Sequence, residues 1–237
     1  MSSAANAFRL SLENSQEFAR KIDGTDFPLT EFQAVQDWQR RRFRNTYADF
    51  AARQSDRPAC EFFLQELYGG VSFRERDDVV SRVEPIMSRL LPDKALLALS
   101  EALRLQRLSL DLDLLMAEEY LKTGQSEIDT ALYLNLYRSV GHRSKRELQI
   151  GMIRQLGREL QSLTHTPVLL ALVKAVRKPA LAAGYGRLQE FLDKGLSAFR
   201  QLQDPGRFVD AIYQRETELM QQWFGSVKAI DKAGVNP

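Results

Sequence analysis

Between Pro92 and Gly124 the chain runs through about thirty residues in which leucine recurs around most of a helical circumference, with no proline or glycine to stop it. One stretch argues for a strand: Leu108, Leu110, Leu112 and Leu114 alternate with Ser109, Asp111 and Asp113. Leu103, Leu115 and Met116 break that alternation, and no turn signal bounds the run, so a helix is expected over 93–122. At 1.5 Å per residue it would be about 44 Å long. Apolar on nearly all sides, it should be the buried centre of whatever forms around it.

Start and stop signals divide the remainder into helices almost without gaps. Thr30 is placed to cap a helix reaching about Arg53, carrying Phe32, Val35, Trp38, Phe43, Tyr47 and Phe50. Pro58 suits a first helical turn, and Gly69 with Gly70 would close that short helix. Ser72 and Glu75 have capping-box spacing for the next, which Pro85 must kink or break. Ser126 would open a helix through Tyr137, closed by Gly141, and Ser144 with Glu147 has capping-box spacing for one ending near His165. Thr166 and Pro167 begin another, interrupted at Pro179, and Asp204 with Pro205 opens the last, closed by Gly225. The fold class expected is all-α: a single compact bundle of about nine or ten helices around the 93–122 helix. Residues 1–29 would be a partly helical N-terminal segment, 30–225 the helical domain, and 226–237 a frayed tail.

Charge is balanced overall, with thirty-three Lys and Arg against thirty-one Asp and Glu, but it is unevenly spread. Residues 93–137 sum to −4 and 138–178 to +7. Such segments usually mark solvated or mutually neutralising faces, and the expectation is that these two face each other in part. The N-terminus lacks the apolar core of a signal peptide, and the most apolar uncharged stretch, 161–173, contains His165 and Pro167. It falls short of the roughly 18 apolar residues a membrane span needs. A cytoplasmic protein without a span is expected, in keeping with the single cysteine, Cys60.

Chemistry is hard to assemble from this composition. One Cys and two His cannot supply a structural zinc site. Ser139 and Ser162 stand where a di-iron bundle would need Glu three residues before His142 and His165. No P-loop, dinucleotide fingerprint or nucleophile elbow occurs, and Gly184-Tyr185-Gly186 lies in a helical pattern. Asp77-Asp78 is not repeated one turn later, as an aspartate-rich magnesium motif would require. No catalytic residue, metal ligand or cofactor is therefore assigned. The best binding candidates are Arg143, Arg146, Arg154 and Arg158, the last three broadly on one helical face suited to phosphate or an acidic partner. Arg40, Arg41, Arg42 and Arg44 form a second basic cluster, read as the wet face of a helix whose Trp38, Phe43 and Tyr47 are core.

The densest local signal is Phe62-Phe63-Leu64-Gln65-Glu66-Leu67-Tyr68-Gly69, preceded by Arg57-Pro58. It resembles the motif of the FFLEELY-motif proteins, a bacterial family without an established function, with Gln65 where that motif has Glu. Similarity continues through Pro85-Ile86-Met87, Leu188-Gln189-Glu190-Phe191-Leu192 and Arg215-Glu216. The resemblance implies a family and no activity. Physically, Phe62, Phe63, Leu64, Leu67 and Tyr68 describe a short helix clamped into a core, a folding anchor before a pocket wall, with Glu66 on the same turn and Gly69 releasing the chain.

Three expectations follow. The first is a non-catalytic interaction or regulatory protein with a protein partner or a second copy of itself. The second is a small apolar or anionic ligand between helices near Tyr68 and Arg146. The third, ranked last, is an enzyme with a carboxylate–arginine site, which requires a cavity where Glu, Asp, Arg or Tyr side chains converge. Nucleic acid is not expected at this overall charge.

Overall fold

The computed structural model describes residues 2–62, 84–85, 87–89, 91–164, 171 and 186–225, and among these every regular element is a helix. They are α1 (Ser3–Ile22), α2 (Leu29–Thr46), α3 (Ala48–Ala51), α4 (Arg57–Phe62), α5 (Asp93–Thr123), α6 (Thr130–Val140), α7 (Arg143–Thr164), α8 (Gly186–Gln201) and α9 (Pro205–Gly225). The fold is a compact all-α assembly. Helix α5 is its axis: α1, α2, α6 and α7 all pack on it, α9 lies along α7 and α6, and α8 lies against α4 and α7.

The leucine run behaves as its composition demands. Leu96, Leu103, Leu105, Leu110, Leu112 and Leu114 are all buried, on different sides of α5. One core joins Phe18, Phe32, Val35 and Trp38 to Leu110, Leu114, Met116 and Tyr120, and extends to Tyr133 and Tyr137. A second gathers Phe43, Tyr47, Phe50 and Cys60 with Phe199, Phe208 and Ile212. A third seats Phe8 and Leu12 of α1 on Leu96 and Leu103. Gly124 ends α5 in the left-handed region at φ 63°, where glycine carries no Cβ penalty.

Several helix ends differ from those the sequence suggests, for local reasons. Helix α2 begins after Pro28 without a side-chain cap, so Thr30 lies inside the first turn. It stops at Thr46 because Tyr47 leaves the helical region and turns its hydroxyl into the core. Helix α6 is capped by Asp129, whose carboxylate accepts from the Leu132 N–H at 2.7 Å, and not by Ser126. The Ser144–Glu147 capping box does not form: α7 starts at Arg143, and Glu147 instead accepts from Arg143 at 2.9 Å. Asp204 caps α9 as its position promises, accepting from the Arg207 N–H at 2.9 Å. The motif residues Phe63, Leu64, Glu66, Leu67, Tyr68 and Gly69, the Ser72–Glu75 pair, Asp77-Asp78, His165, the Thr166–Pro167 start, Pro179 and 226–237 lie outside the described residues.

Glycine admits two close approaches. A Cβ at Gly157 would lie 2.5 Å from a Val209 methyl, which brings α9 down onto α7. One at Gly195 would lie 2.8 Å from the Phe62 ring, so the first residue of the aromatic motif is seated against α8.

Candidate functional site

Five helices each contribute a stripe of residues to one point inside the bundle. Helix α2 supplies Gln36, Gln39 and Arg42 at intervals of three, interleaved with core Val35, Trp38 and Phe43. Helix α5 supplies Leu112 and Asp113, α6 Tyr133 and Tyr137 one turn apart, and α7 Arg146, Gln149, Ile150 and Ile153. Helix α9 supplies Glu216, Met220 and Trp223, again successive positions on one face. Except for Gln36, these side chains enclose a cavity of about 40 Å³. A buried water needs about 10–15 Å³ of such space. The cavity therefore holds about three waters or one ligand of three or four heavy atoms.

Asp113 is 7% exposed. Its Oδ1 accepts from Gln39 Nε2 at 2.8 Å and its Oδ2 from Gln36 Nε2 at 3.3 Å, while Gln39 Nε2 also donates to the Tyr133 hydroxyl at 3.2 Å. Burial raises the Asp113 carboxyl to about 6, against the opposing pull of those two amides and of the Arg146 charge. Burial likewise pushes Tyr133 up to about 12 and raises Tyr137, so both phenols keep their protons. Glu216 is held by Arg42 and by the Tyr47 hydroxyl, which donates to its Oε1 at 2.7 Å. Trp38 stacks on Tyr133 with ring centroids 3.5 Å apart, closing the apolar side.

Arg146 is different. It is 5% exposed, its Nε donates to the Gly141 carbonyl at 3.2 Å, and its guanidinium carbon sits 3.7 Å from the centre of the Tyr137 ring. Its Nη2 is buried and has no hydrogen-bond partner, and no carboxylate lies within ion-pair distance. A buried guanidinium normally demands paired acceptors. Arg146 has an unfilled donor at the edge of an enclosed space.

The four candidate arginines, of which Arg146, Arg154 and Arg158 were expected on one face, are divided by the fold. Arg146 points inward. Arg143 pairs with Glu147 at the start of α7. Arg154 and Arg158 both reach Asp210 of α9, at 2.7 and 3.1 Å, and border an open groove of about 330 Å³ with Lys94, Gln155, Glu159 and Ser162. Among the described residues no ion pair joins 93–137 to 138–164, and the further basic residues of the second segment, Lys174, Arg177 and Lys178, lie outside them. Side-chain hydrogen bonds between 93–137 and 138–164 are Gln149 donating to Ser109 at 2.7 Å, Ser139 donating to Glu119 at 2.8 Å and Lys94 donating to Ser162 at 2.6 Å. Arg42 also departs from expectation: it is not on the wet face of α2 but turned in to Glu216. His142, at φ 53° beyond Gly141, is a helix-end residue.

Asp113, Gln36, Gln39, Glu216 and Tyr133 were not singled out by spacing rules. Their signal was nevertheless present, as polar residues inside stripes that are otherwise apolar: Asp113 between Leu112 and Leu114, and Gln36 and Gln39 flanking Trp38.

Fold and site together define an all-α protein with a partly enclosed, mixed-charge cavity between its helices. The chain belongs to a domain family of unknown function, DUF8198, whose model matches residues 25–229. No curated protein and no solved structure matches it. No helix among the described residues is long and apolar enough to cross a membrane, and no group of three or more His, Cys, Asp or Glu there could hold a metal ion.

Proposed function

We propose that this chain is a non-catalytic helical protein that binds a small anionic ligand in the pocket between α2, α5, α6, α7 and α9. The observation that carries this reading is the buried Arg146 Nη2, which borders the cavity without an acceptor. An oxyanion there would accept the hydrogen bond that Nη2 lacks and would lie beside the guanidinium charge. The convergence of Asp113, Glu216, Arg42, Arg146 and two tyrosines also meets the condition set for an enzyme. The cavity's volume weighs toward binding, since it leaves room for a ligand and none for a second reactant. The Cys60 thiol, buried and pushed up to about 11, is a core residue and no nucleophile. Kinship with FFLEELY-motif proteins and a bacterial cytoplasmic setting belong to the same reading, supported by the 62–69 run and the lone cysteine.

Thermal unfolding of the full chain in sodium nitrate, formate or acetate, against formamide at equal concentration, tests the proposal. Ligand at a hundred times Kd stabilises by about 2.7 kcal/mol, which for a chain this size raises Tm by about 5 °C or more. Wild type should show that rise with the anions and not with formamide, and Arg146→Met should not. An absent shift, or an equal shift in Arg146→Met, contradicts the reading.

A second reading, an acidic protein partner on the exposed arginines, is supported by Lys94, Arg154 and Arg158 lying along one open groove. With a second copy of the chain as that partner, it predicts a dimer in light scattering that Arg154→Glu with Arg158→Glu abolishes. Association that survives that change would count against it.

A further inference from the structure

We infer that the pocket takes up a small monoanion together with one proton, the anion on Arg146 and the proton on Asp113. The ligand class is therefore the small planar oxyanions, such as nitrate, formate or bicarbonate, and excludes neutral amides and phosphate dianions. This deepens the anion-binding reading above and rests on it.

Charge must balance where the pocket is largely walled off from water. Four charged side chains line the cavity: Arg42, Arg146, Asp113 and Glu216. Arg42 and Glu216 pair directly, and Tyr47 adds a hydrogen bond to the same carboxylate oxygen. That leaves Arg146 and Asp113, which are not in ion-pair contact but act on each other through the intervening space. With both ionised the pocket is neutral. A bound monoanion would leave one uncompensated negative charge among Leu112, Ile150, Ile153, Met220 and Trp223, where charge is costly. Protonating Asp113 restores neutrality.

The groups that face Asp113 leave it as the proton's destination. From α2 come Gln36, Gln39 and Arg42, from α6 Tyr133 and Tyr137, from α7 Arg146, and from α9 Glu216. The glutamines do not titrate, the arginines stay charged, and the two phenols already hold their protons. Glu216 is committed to Arg42 and Tyr47. Asp113 meets only amide donors, and burial already favours its neutral form. A dianion would require a second proton, and no second acceptor is placed to take it.

Nitrate is the decisive probe, because it keeps its charge across the accessible pH range and any pH dependence then belongs to the protein. Both tryptophans of the chain adjoin the site, Trp223 lining it and Trp38 stacked on Tyr133, so their fluorescence reports binding. Nitrate titrated into the full chain at pH 6, 7 and 8 should show Kd weakening by about fivefold from pH 6 to 7 and about tenfold from pH 7 to 8. Calorimetry at pH 8 in two buffers of different ionisation enthalpy should return close to one proton taken up per nitrate. Asp113→Asn should bind nitrate with the same Kd at all three pH values, and formamide should not displace it. A wild-type Kd constant within about twofold from pH 6 to 8, with no proton uptake, overturns the coupling and leaves anion binding standing. No binding of nitrate or formate at any of these pH values overturns both.

Discussion

Asp113 should govern much of the pH dependence of the fold. Its folded-state pKa lies above the ordinary carboxylate value, about 6 against 3.8, so the native state holds a proton that the unfolded chain releases. The sign follows directly: stability falls as pH rises from about 4 to about 6, and the cost is fully present above that. A shift of this size corresponds to about 3 kcal/mol. Asp113→Asn should remove that slope, so that urea unfolding of the variant changes little between pH 4.5 and 7 while wild type loses stability. Parallel curves for the two proteins would contradict this assignment. Glu216 and Arg42 have a different role at the same scale, since their pair fastens α2 to α9 and lets Arg146 remain unfilled.

Among elements, the pocket exists because five helices are held at fixed spacings, and α7 against α9 is the contact that brings Arg146 and Glu216 to the same cavity. Gly157 is where that contact is tightest. Gly157→Ala should overpack it against Val209 and destabilise by about 1–3 kcal/mol in chemical denaturation, despite alanine's better helix propensity. The Asp129 cap fixes where α6 starts and hence where Tyr133 and Tyr137 fall, and Asp129→Ala should cost about 1 kcal/mol by the same measurement. Helix type was readable across the described residues: even the alternating Leu108–Leu114 stretch folds as helix, because leucines outside that period must be buried too. Helix ends were less readable, since Ser126 and Asp129 are both good caps and only packing chooses between them. The site was least readable. Arg146 could be named from its sequence spacing, but its direction depends on whether α7 turns that face to solvent or to Tyr137. Nothing in the order of residues brings Gln39, Asp113 and Glu216 together across the chain.

On the scale of the whole molecule, the family match begins at residue 25, yet α1 (Ser3–Ile22) is integral to the bundle. Its Phe8 and Leu12 cover Leu96 and Leu103 of α5, Phe18 enters the main core, and buried Ser11 and Ser100 share a 2.7 Å hydrogen bond. Burying three such side chains contributes roughly 5 kcal/mol. A chain beginning at residue 25 should therefore lose most of its cooperative unfolding transition, as followed by circular dichroism. Retention of the full-length midpoint would show α1 to be dispensable.

The central claim is that Arg146 awaits an anion inside the bundle. A crystal structure of the full chain grown in sodium nitrate tests it most directly. A planar anion is expected in the cavity, within hydrogen-bond distance of Arg146 Nη2 and bordered by Tyr137 and Trp223. A cavity holding only water, or an Arg146 whose Nη2 is bonded to a protein acceptor, would contradict it.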